Sequence, residues 1–345
     1  MKRYYLLILV TTIGLLVSSC GKDWLDVNTD PNNPASASPE NVFPAAVMST
    51  ASVIGGHYNI LGGIWSQYFT QSNAANQFKY IETYTLANTD FQSQFNELYS
   101  GALNDFKYVR ETAEAQQNWN YVFASTVMEC FTYQILVDLY DKIPYREALG
   151  GVNNLMPKYD DAALVYDSLI AKLKRIKTFN LAAPTSKPLG TYDFLFNGDM
   201  TKWTKFANTL MLKIYLRQMY VRPTVTQNGI AELVSEGAQF LDVDAKVGVY
   251  VDQPNKDNPT YASVIRGLNV ATNLRASATL HKFLAANSDT RAQYLYGTGV
   301  PLPQGGFDIP STTLNPSTVA VSKFNANDPV FFISLPESYF LQAEA

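Results

Sequence analysis

Apolar residues recur along this chain mostly at helical spacing, and the longest such run is also the least polar. Between Trp119 and Tyr140, the residues Phe123, Val127, Phe131, Ile135 and Leu139 repeat every four positions. Val122, Met128, Leu136 and Tyr140 widen that stripe until little of the circumference is polar. A surface helix is apolar along one stripe only, so this pattern predicts a helix enclosed by its neighbours. About 22 residues of helix would run roughly 33 Å, the width of a domain. Pro144 forbids helical continuation and pushes Ile143 toward extended backbone, so the helix should end sharply before Asp141-Lys-Ile-Pro-Tyr-Arg-Glu-Ala148.

Shorter helical patterns flank it. Pro44 suits the first turn of a helix that ends at Gly55-Gly56. Ile60, Leu61, Ile64, Trp65, Tyr68 and Phe69 form one helical face, and residues 70–90 read as a polar, aromatic loop. Phe95, Leu98, Tyr99, Leu103, Phe106 and Val109 continue helically to about Gln116. The break at Gln117-Asn118 is short enough to fold that helix back against the central one. Val165 to Ile176 predicts another helix with Asp160 as its cap. The cleanest period joins Trp203, Phe206, Ala207, Leu210, Met211, Ile214 and Tyr215, with Asp199 or Thr201 capping the start and Pro223 stopping it. Lys202, Lys205, Lys213 and Arg217 take its outer face. Residues 226–239 and 276–287 predict two more helices. From Tyr294 to Pro336 the chain is rich in turn residues, with short apolar runs such as Pro329-Val-Phe-Phe-Ile333, which predicts long loops and a few strands. Repeated helical hairpins predict a mainly α protein of tetratricopeptide type, although no fixed period of about 34 residues is visible.

Composition narrows the function. The 345 residues are 47% hydrophobic, ample for a core, and only 16% are charged. Aromatic residues are abundant, with 22 Tyr, 19 Phe and 4 Trp, and rings of this kind serve packing and ligand platforms alike. A net charge of −4 with no basic stripe excludes nucleic acid as a partner.

The N-terminus carries an address. Lys2 and Arg3 precede the apolar run Leu6–Val17 and then Ser18-Ser19-Cys20. A charged start, an apolar stretch of about a dozen residues and small residues before the cut make residues 1–19 a signal peptide, too short to span a bilayer as a helix. Leu16-Val-Ser-Ser-Cys20 resembles a bacterial lipobox, which makes Cys20 the acylated first residue of the mature protein and anchors it to a membrane. Cys130 is then the only other thiol, so no intramolecular disulfide can form and the fold must rest on its core. Residues 20–37, rich in Asn, Pro and Asp, read as a lipidated tether, and residues 38–345 as the folded domain.

Catalytic and metal chemistry have little to build on. The chain has two histidines, His57 and His281, far apart. Asp242-Val-Asp-Ala-Lys-Val-Gly248 opens like a calcium loop, but Lys246 stands at its fifth position. No nucleophile elbow, phosphate loop or dinucleotide fingerprint is present. Glu129 and Asp138 share one helix nine positions apart, whereas a retaining glycosidase needs two carboxyls about 5 Å apart across a cleft. No catalytic residue, metal site or cofactor is therefore assigned.

Four stretches together resemble the SusD/RagB family of outer-membrane nutrient-binding lipoproteins. They are the lipobox with Cys20-Gly-Lys-Asp-Trp-Leu-Asp26, then Asp138-Leu-Tyr-Asp-Lys-Ile-Pro-Tyr-Arg-Glu-Ala148, then Trp203 to Arg217, and last Arg275-Ala-Ser-Ala-Thr-Leu280 with Glu337-Ser-Tyr-Phe-Leu-Gln-Ala-Glu-Ala345. Asp141-Lys142 departs from the family's usual Gly-Asp. The family normally continues past the Ala-Glu-Ala helix, which implies that a C-terminal part is missing here. The resemblance implies four tetratricopeptide-like hairpins with irregular segments forming the ligand surface. It further implies a lipid-anchored protein on the outer face of the outer membrane that binds an oligosaccharide or peptide and passes it to a SusC-like TonB-dependent transporter. A surface glycan hydrolase and a purely structural interaction module are the alternatives. Composition then points to ligand residues, because sugar rings stack on aromatic faces and their hydroxyls meet amides and guanidinium groups. Trp65, Tyr68, Asn73, Asn76, Tyr80 and Tyr84 form one such set, and Asn269 and Arg275 lie in a second polar segment.

Overall fold

The computed structural model describes residues 37–269 and 272–345. The signal peptide, Cys20 and the tether up to residue 36 lie outside the described residues. The helices expected from periodicity are present, and short ones also stand in stretches that read as loop. They are α1 (Pro39–Ile54), α2 (His57–Trp65), the short α3 (Lys79–Glu82), α4 (Gln92–Glu97), α5 (Asn104–Ala115), α6 (Trp119–Tyr140), α7 (Ala162–Ile176), α8 (Met200–Leu216) and α9 (Pro223–Ser235). After these come α10 (Pro259–Tyr261), α11 (Ala278–Ala286), α12 (Ala292–Leu295) and α13 (Leu335–Glu344). A π turn, Leu98–Leu103, joins α4 to α5, and another, Ala262–Gly267, continues α10. Six short strands, β1 (Phe69–Gln71), β2 (Ile143–Pro144), β3 (Tyr159–Asp160), β4 (Ala245–Val247), β5 (Leu274–Ala276) and β6 (Val330–Ile333), pair only two by two. The fold is mainly α, as the periodicity predicts.

Helix α6 is the axis of the core. Seventeen of its 22 residues are buried, and it is enclosed by α1, α5, α7 and α8. By length and composition it could cross a membrane, but its apolar surface is taken up by the protein's own helices. Asn118 closes the tight return from α5 after Gln117, whose φ of 55° makes the reversal. Phe43 of α1, Tyr121 of α6 and Trp203 of α8 meet edge to face at centroid distances of 6.0 Å, locking three helices together. The Trp203 indole donates to the Asp193 carboxylate at 2.7 Å.

One buried charge cluster crosses this core. Glu129 of α6 is 2% exposed and accepts from Arg110 of α5 at 2.9 Å and from Lys172 of α7 at 2.5 Å. It is a structural three-helix link. Asp138, the other carboxylate of α6, accepts from Gln134, Tyr166 and Arg217.

Several sequence expectations move. The first helix starts at Pro39, with Pro44 inside it rather than in its first turn. Asp161, not Asp160, precedes α7; Asp160 sits in β3, where its carboxylate accepts from the Arg146 backbone at 2.8 Å and guanidinium at 2.6 Å. Asp199 caps α8 by accepting from the backbone of Thr201 and Lys202. Pro223 opens α9 instead of closing α8, since a missing N–H costs nothing in a first turn. Lys213 is not on an outer face: α13 covers it, and Glu337 pairs with it at 2.9 Å.

Residues 70–90 are more ordered than a loop. β1 pairs antiparallel with β5, far along the chain, in the register Phe69↔Ala276, Thr70↔Arg275 and Gln71↔Leu274. A small second core of Ile60, Leu61, Ile64, Phe69, Phe78, Ile81, Val264 and Leu274 lies beneath. The buried Glu82 carboxylate accepts from the Thr70 hydroxyl, the Gln71 backbone at 3.0 Å and the Gly305 backbone at 2.7 Å. It ties α3, β1 and the long C-terminal loops into one surface.

Candidate functional site

Helix α2 ends at Trp65 because the chain reverses at Gln67, whose φ of 60° breaks the helical run, and enters β1. Gly63 allows the return: a Cβ there would lie 2.0 Å from the Phe69 ring, so only glycine lets Phe69 pack against α2. The Trp65 indole donates to the Ile81 carbonyl at 3.0 Å, which fixes its plane while leaving the side chain partly exposed. Tyr84, 69% exposed, leans on Trp65 with ring centroids 5.6 Å apart and a 34° tilt. Two rings thus stand at the surface, one anchored and one open.

A cleft of about 470 Å³ runs from Trp65 to the C-terminal end of α6. Its walls are Tyr58 and Leu61 of α2, the segment Leu86–Asn88 with Asp90 and Phe91, and Asp138, Leu139 and Tyr140. Leu86 and Leu139 present apolar edges at the surface. Asp90 fixes its own loop by accepting from the Ala87 backbone at 2.7 Å. The Tyr58 and Tyr140 hydroxyls meet at 2.9 Å, and both residues also line a larger cavity of about 830 Å³ together with Gln134, Tyr166 and Arg217. Burial, aided by this mutual bond, raises the Tyr58 pKa far above its ordinary value, and burial raises that of Tyr140, so both hydroxyls stay neutral and one donates to the other. Volume and mixed lining suit a small organic ligand.

The sequence-chosen residues divide. Trp65 lines the cleft, whereas Tyr84 and Tyr80 do not: Tyr84 touches its Trp65 wall and Tyr80 its Phe91 wall, the latter with centroids at 6.5 Å. Burial, and then the charge of Asp90, raises the Tyr80 pKa. Tyr68 is half exposed just beyond α2, its carbonyl accepting from the Tyr296 hydroxyl at 2.6 Å. Asn76 is exposed. Asn73 points into the protein and holds the C-terminal loop by donating to the Ile309 and Leu314 carbonyls. Asn269 is exposed on a left-handed residue, φ 51°, beyond the second π turn. Arg275 is placed inside: it is 3% exposed, and its guanidinium donates to the Val319 carbonyl at 2.7 Å and to Ser72. It braces β5 and is not presented to solvent. Sequence reasoning missed Tyr58, Leu86, Asn88, Phe91, Leu139 and Tyr140. The Asp138-Leu-Tyr140 motif was the available signal, but helical spacing read it as core.

The cleft offers rings, amides and neutral hydroxyls. Both oxygens of Asp138 already accept hydrogen bonds, so it is poorly placed to exchange a proton with a ligand. Among the described residues no group of three His, Cys, Asp or Glu is gathered as a metal site would require.

A family model described as "Starch-binding associating with outer membrane", SusD-like, matches residues 31–345. No curated protein matches the chain. Among solved structures, a chitin-binding protein superposes with a TM-score of 0.74 at 19% identity, covering 89% of this chain and 70% of its own. A SusD/RagB family protein from Bacteroides thetaiotaomicron gives 0.74 at 22% identity, with 89% and 67% covered. A chitin-binding SusD homologue from Flavobacterium johnsoniae gives 0.68 at 17% identity, with 88% and 65% covered. The chain thus spans about two thirds of the length of these structures. With the family model matching all but the first 30 residues, the chain belongs to the SusD-like family.

Proposed function

We propose that this protein is a lipid-anchored capture protein on the outer face of the outer membrane, binding an oligomeric glycan and handing it to a SusC-like TonB-dependent transporter. The observation that carries the reading is the Trp65–Tyr84 pair at the mouth of the cleft, an anchored ring beside an exposed one. Such a pair offers a broad apolar face to the C–H side of a sugar ring, while Asn88 and the tyrosine hydroxyls can meet its polar edge. Tyr68 and Asn76 extend the surface. Asn269 belongs to it only if the ligand is long. Asn73 and Arg275 support the fold behind it. The family's description as associated with the outer membrane, and two structural relatives described as chitin-binding, support both the place and the ligand class. The N-terminal signal and Cys20 supply the anchor, and the transporter supplies the transport energy. Binding is the function; a hydrolase would need two carboxyls free to exchange protons, and Asp138 is engaged on both oxygens.

The test is titration of the Cys20→Ala protein with chito- and malto-oligosaccharides, followed by intrinsic fluorescence. Saturable binding should appear for one series, and Trp65→Ala or Tyr84→Ala should weaken it about 3- to 10-fold, the range of one ring contact. Binding indifferent to both substitutions would remove the cleft from the account.

A further inference from the structure

One backbone carbonyl holds both rings at the mouth of the cleft. Ile81 of α3 accepts from the Trp65 indole at 3.0 Å and from the Tyr84 backbone N–H at 3.3 Å. That carbonyl belongs to the rigid peptide joining Ile81 to Glu82, so whatever fixes Glu82 fixes both rings. The Glu82 side chain is 9% exposed, and its three donors are neutral. They are the Thr70 hydroxyl and the Gln71 N–H at 3.0 Å, both on β1, and the Gly305 N–H at 2.7 Å. A buried carboxylate is costly to desolvate, and here its bonds join three segments that are distant in sequence.

The Gly305 segment reaches the same rings by a second route. The Gln304 amide donates to the Ile64 carbonyl at 3.2 Å, in the peptide that leads into Trp65. Gly305, at φ 76°, supplies the left-handed turn between these two bonds. Residues 304–305 therefore bracket Trp65, at its backbone through Ile64 and at its indole through Glu82 and Ile81. Lys79 adds a third tie, pairing with Asp308 at 2.7 Å with its ammonium 4.5 Å from the Phe307 ring. Those two charged side chains are 42% and 74% exposed, so the pair contributes little and the weight falls on Glu82 and Gln304.

Neither Glu82 nor Gln304 lines the cleft. Taking the Trp65–Tyr84 pair as the platform of the capture reading, we propose that Glu82 and Gln304 are its positioning residues. They set the planes of the two rings from behind, through the Ile81 and Ile64 carbonyls, and do not touch the ligand. A ring already held in its bound orientation loses less freedom when a sugar stacks on it, so the bracket contributes affinity by preorganisation.

Fluorine NMR of the Cys20→Ala protein labelled with fluorotryptophan tests this without any ligand, the Trp65 line being the one lost in Trp65→Phe. Glu82→Gln keeps the size but turns one acceptor oxygen into a donor, so at least one of the three bonds is lost. Gln304→Met removes the bond to Ile64 at a partly exposed position. Each should shift or broaden the Trp65 line, while the Trp203 line, held in the helical core by Asp193, stays in place. A role in stability alone would lower the Tm and leave the folded protein's Trp65 line unmoved. Titration with chito- and malto-oligosaccharides then reads the consequence. Each variant should weaken binding of the series that binds about threefold, and Glu82→Gln should add nothing in the Trp65→Ala/Tyr84→Ala background. An unmoved Trp65 line in both variants, or Trp65 and Trp203 lines that move together, would overturn the bracket. So would a Glu82→Gln loss that persists in the double variant. If neither series binds yet the Trp65 line moves alone, the bracket stands and only the capture reading falls.

Discussion

Glu129 shows how a single side chain sets the helical core. Its carboxylate joins Arg110 and Lys172 from two other helices, and the side chains of Glu129 and Arg110 are 3% and 19% exposed. Such a pair adds little net stability against an apolar replacement, but removing one partner strands the other charges. Glu129→Gln should therefore destabilise the protein by roughly 3 kcal/mol, read as a shift of the urea midpoint without loss of cooperativity. A change within error would mean that Arg110 and Lys172 find other partners. Cys130, next to it, is fully buried, and burial raises its thiol pKa. It should resist alkylation until the protein unfolds. At this scale the sequence was readable for packing and poor for ligand contacts. Trp203 and Phe131 announced themselves by spacing. Arg275 did not, because a guanidinium bonded inside a strand pair looks the same in sequence as one presented to a ligand.

Individual helices followed their local signals closely. Asp199 illustrates this, as its side chain accepts from two backbone N–H groups at the start of α8, and Asp199→Ala should cost about 1 kcal/mol in thermal or urea unfolding. Burial raises the Asp199 and Asp160 pKa values, but hydrogen bonds and charge from Lys202 and Arg146 outweigh it, and both end below their ordinary 3.8. These carboxyls bind protons less readily folded than unfolded. Their stabilisation is fully present only well above 3.8 and is lost as pH falls through that value toward the lower folded pKa. The Tm should fall more gently with acid in Asp160→Asn than in the wild type. Equal slopes would remove Asp160 from the acid response. Elements built from distant pairings were illegible. β1 reads as the end of a helical face running into loop, because its partner β5 lies far along the chain and three-residue strands leave no period to detect. The boundaries at Pro39 and Pro223 moved because proline marks a helix start as readily as a stop.

At the scale of the whole molecule, a helical scaffold carries a surface built from irregular chain. Helix α6 serves both, as its middle organises the core and its last turn, Asp138–Tyr140, walls the cleft. The family was legible because its motifs fall on positions that the fold needs. The site was legible only as composition, since its rings meet between separate segments, Trp65 with Tyr84 and Tyr80 with Phe91, contacts no periodicity encodes. If Cys20 carries the anchor, Cys20→Ala should move the protein from the membrane fraction to the soluble fraction, and persistence in the membrane would refute lipidation.

The central claim is capture without chemistry at the Trp65–Tyr84 cleft. Its most direct measurement is calorimetric titration of the Cys20→Ala protein with an oligosaccharide series, with chromatography of the mixtures after long incubation. The account predicts saturable binding of one glycan class, weakened by Trp65→Ala, with every oligosaccharide recovered intact. Shortened products would make the protein a hydrolase, and an absence of binding to any glycan would contradict the account outright.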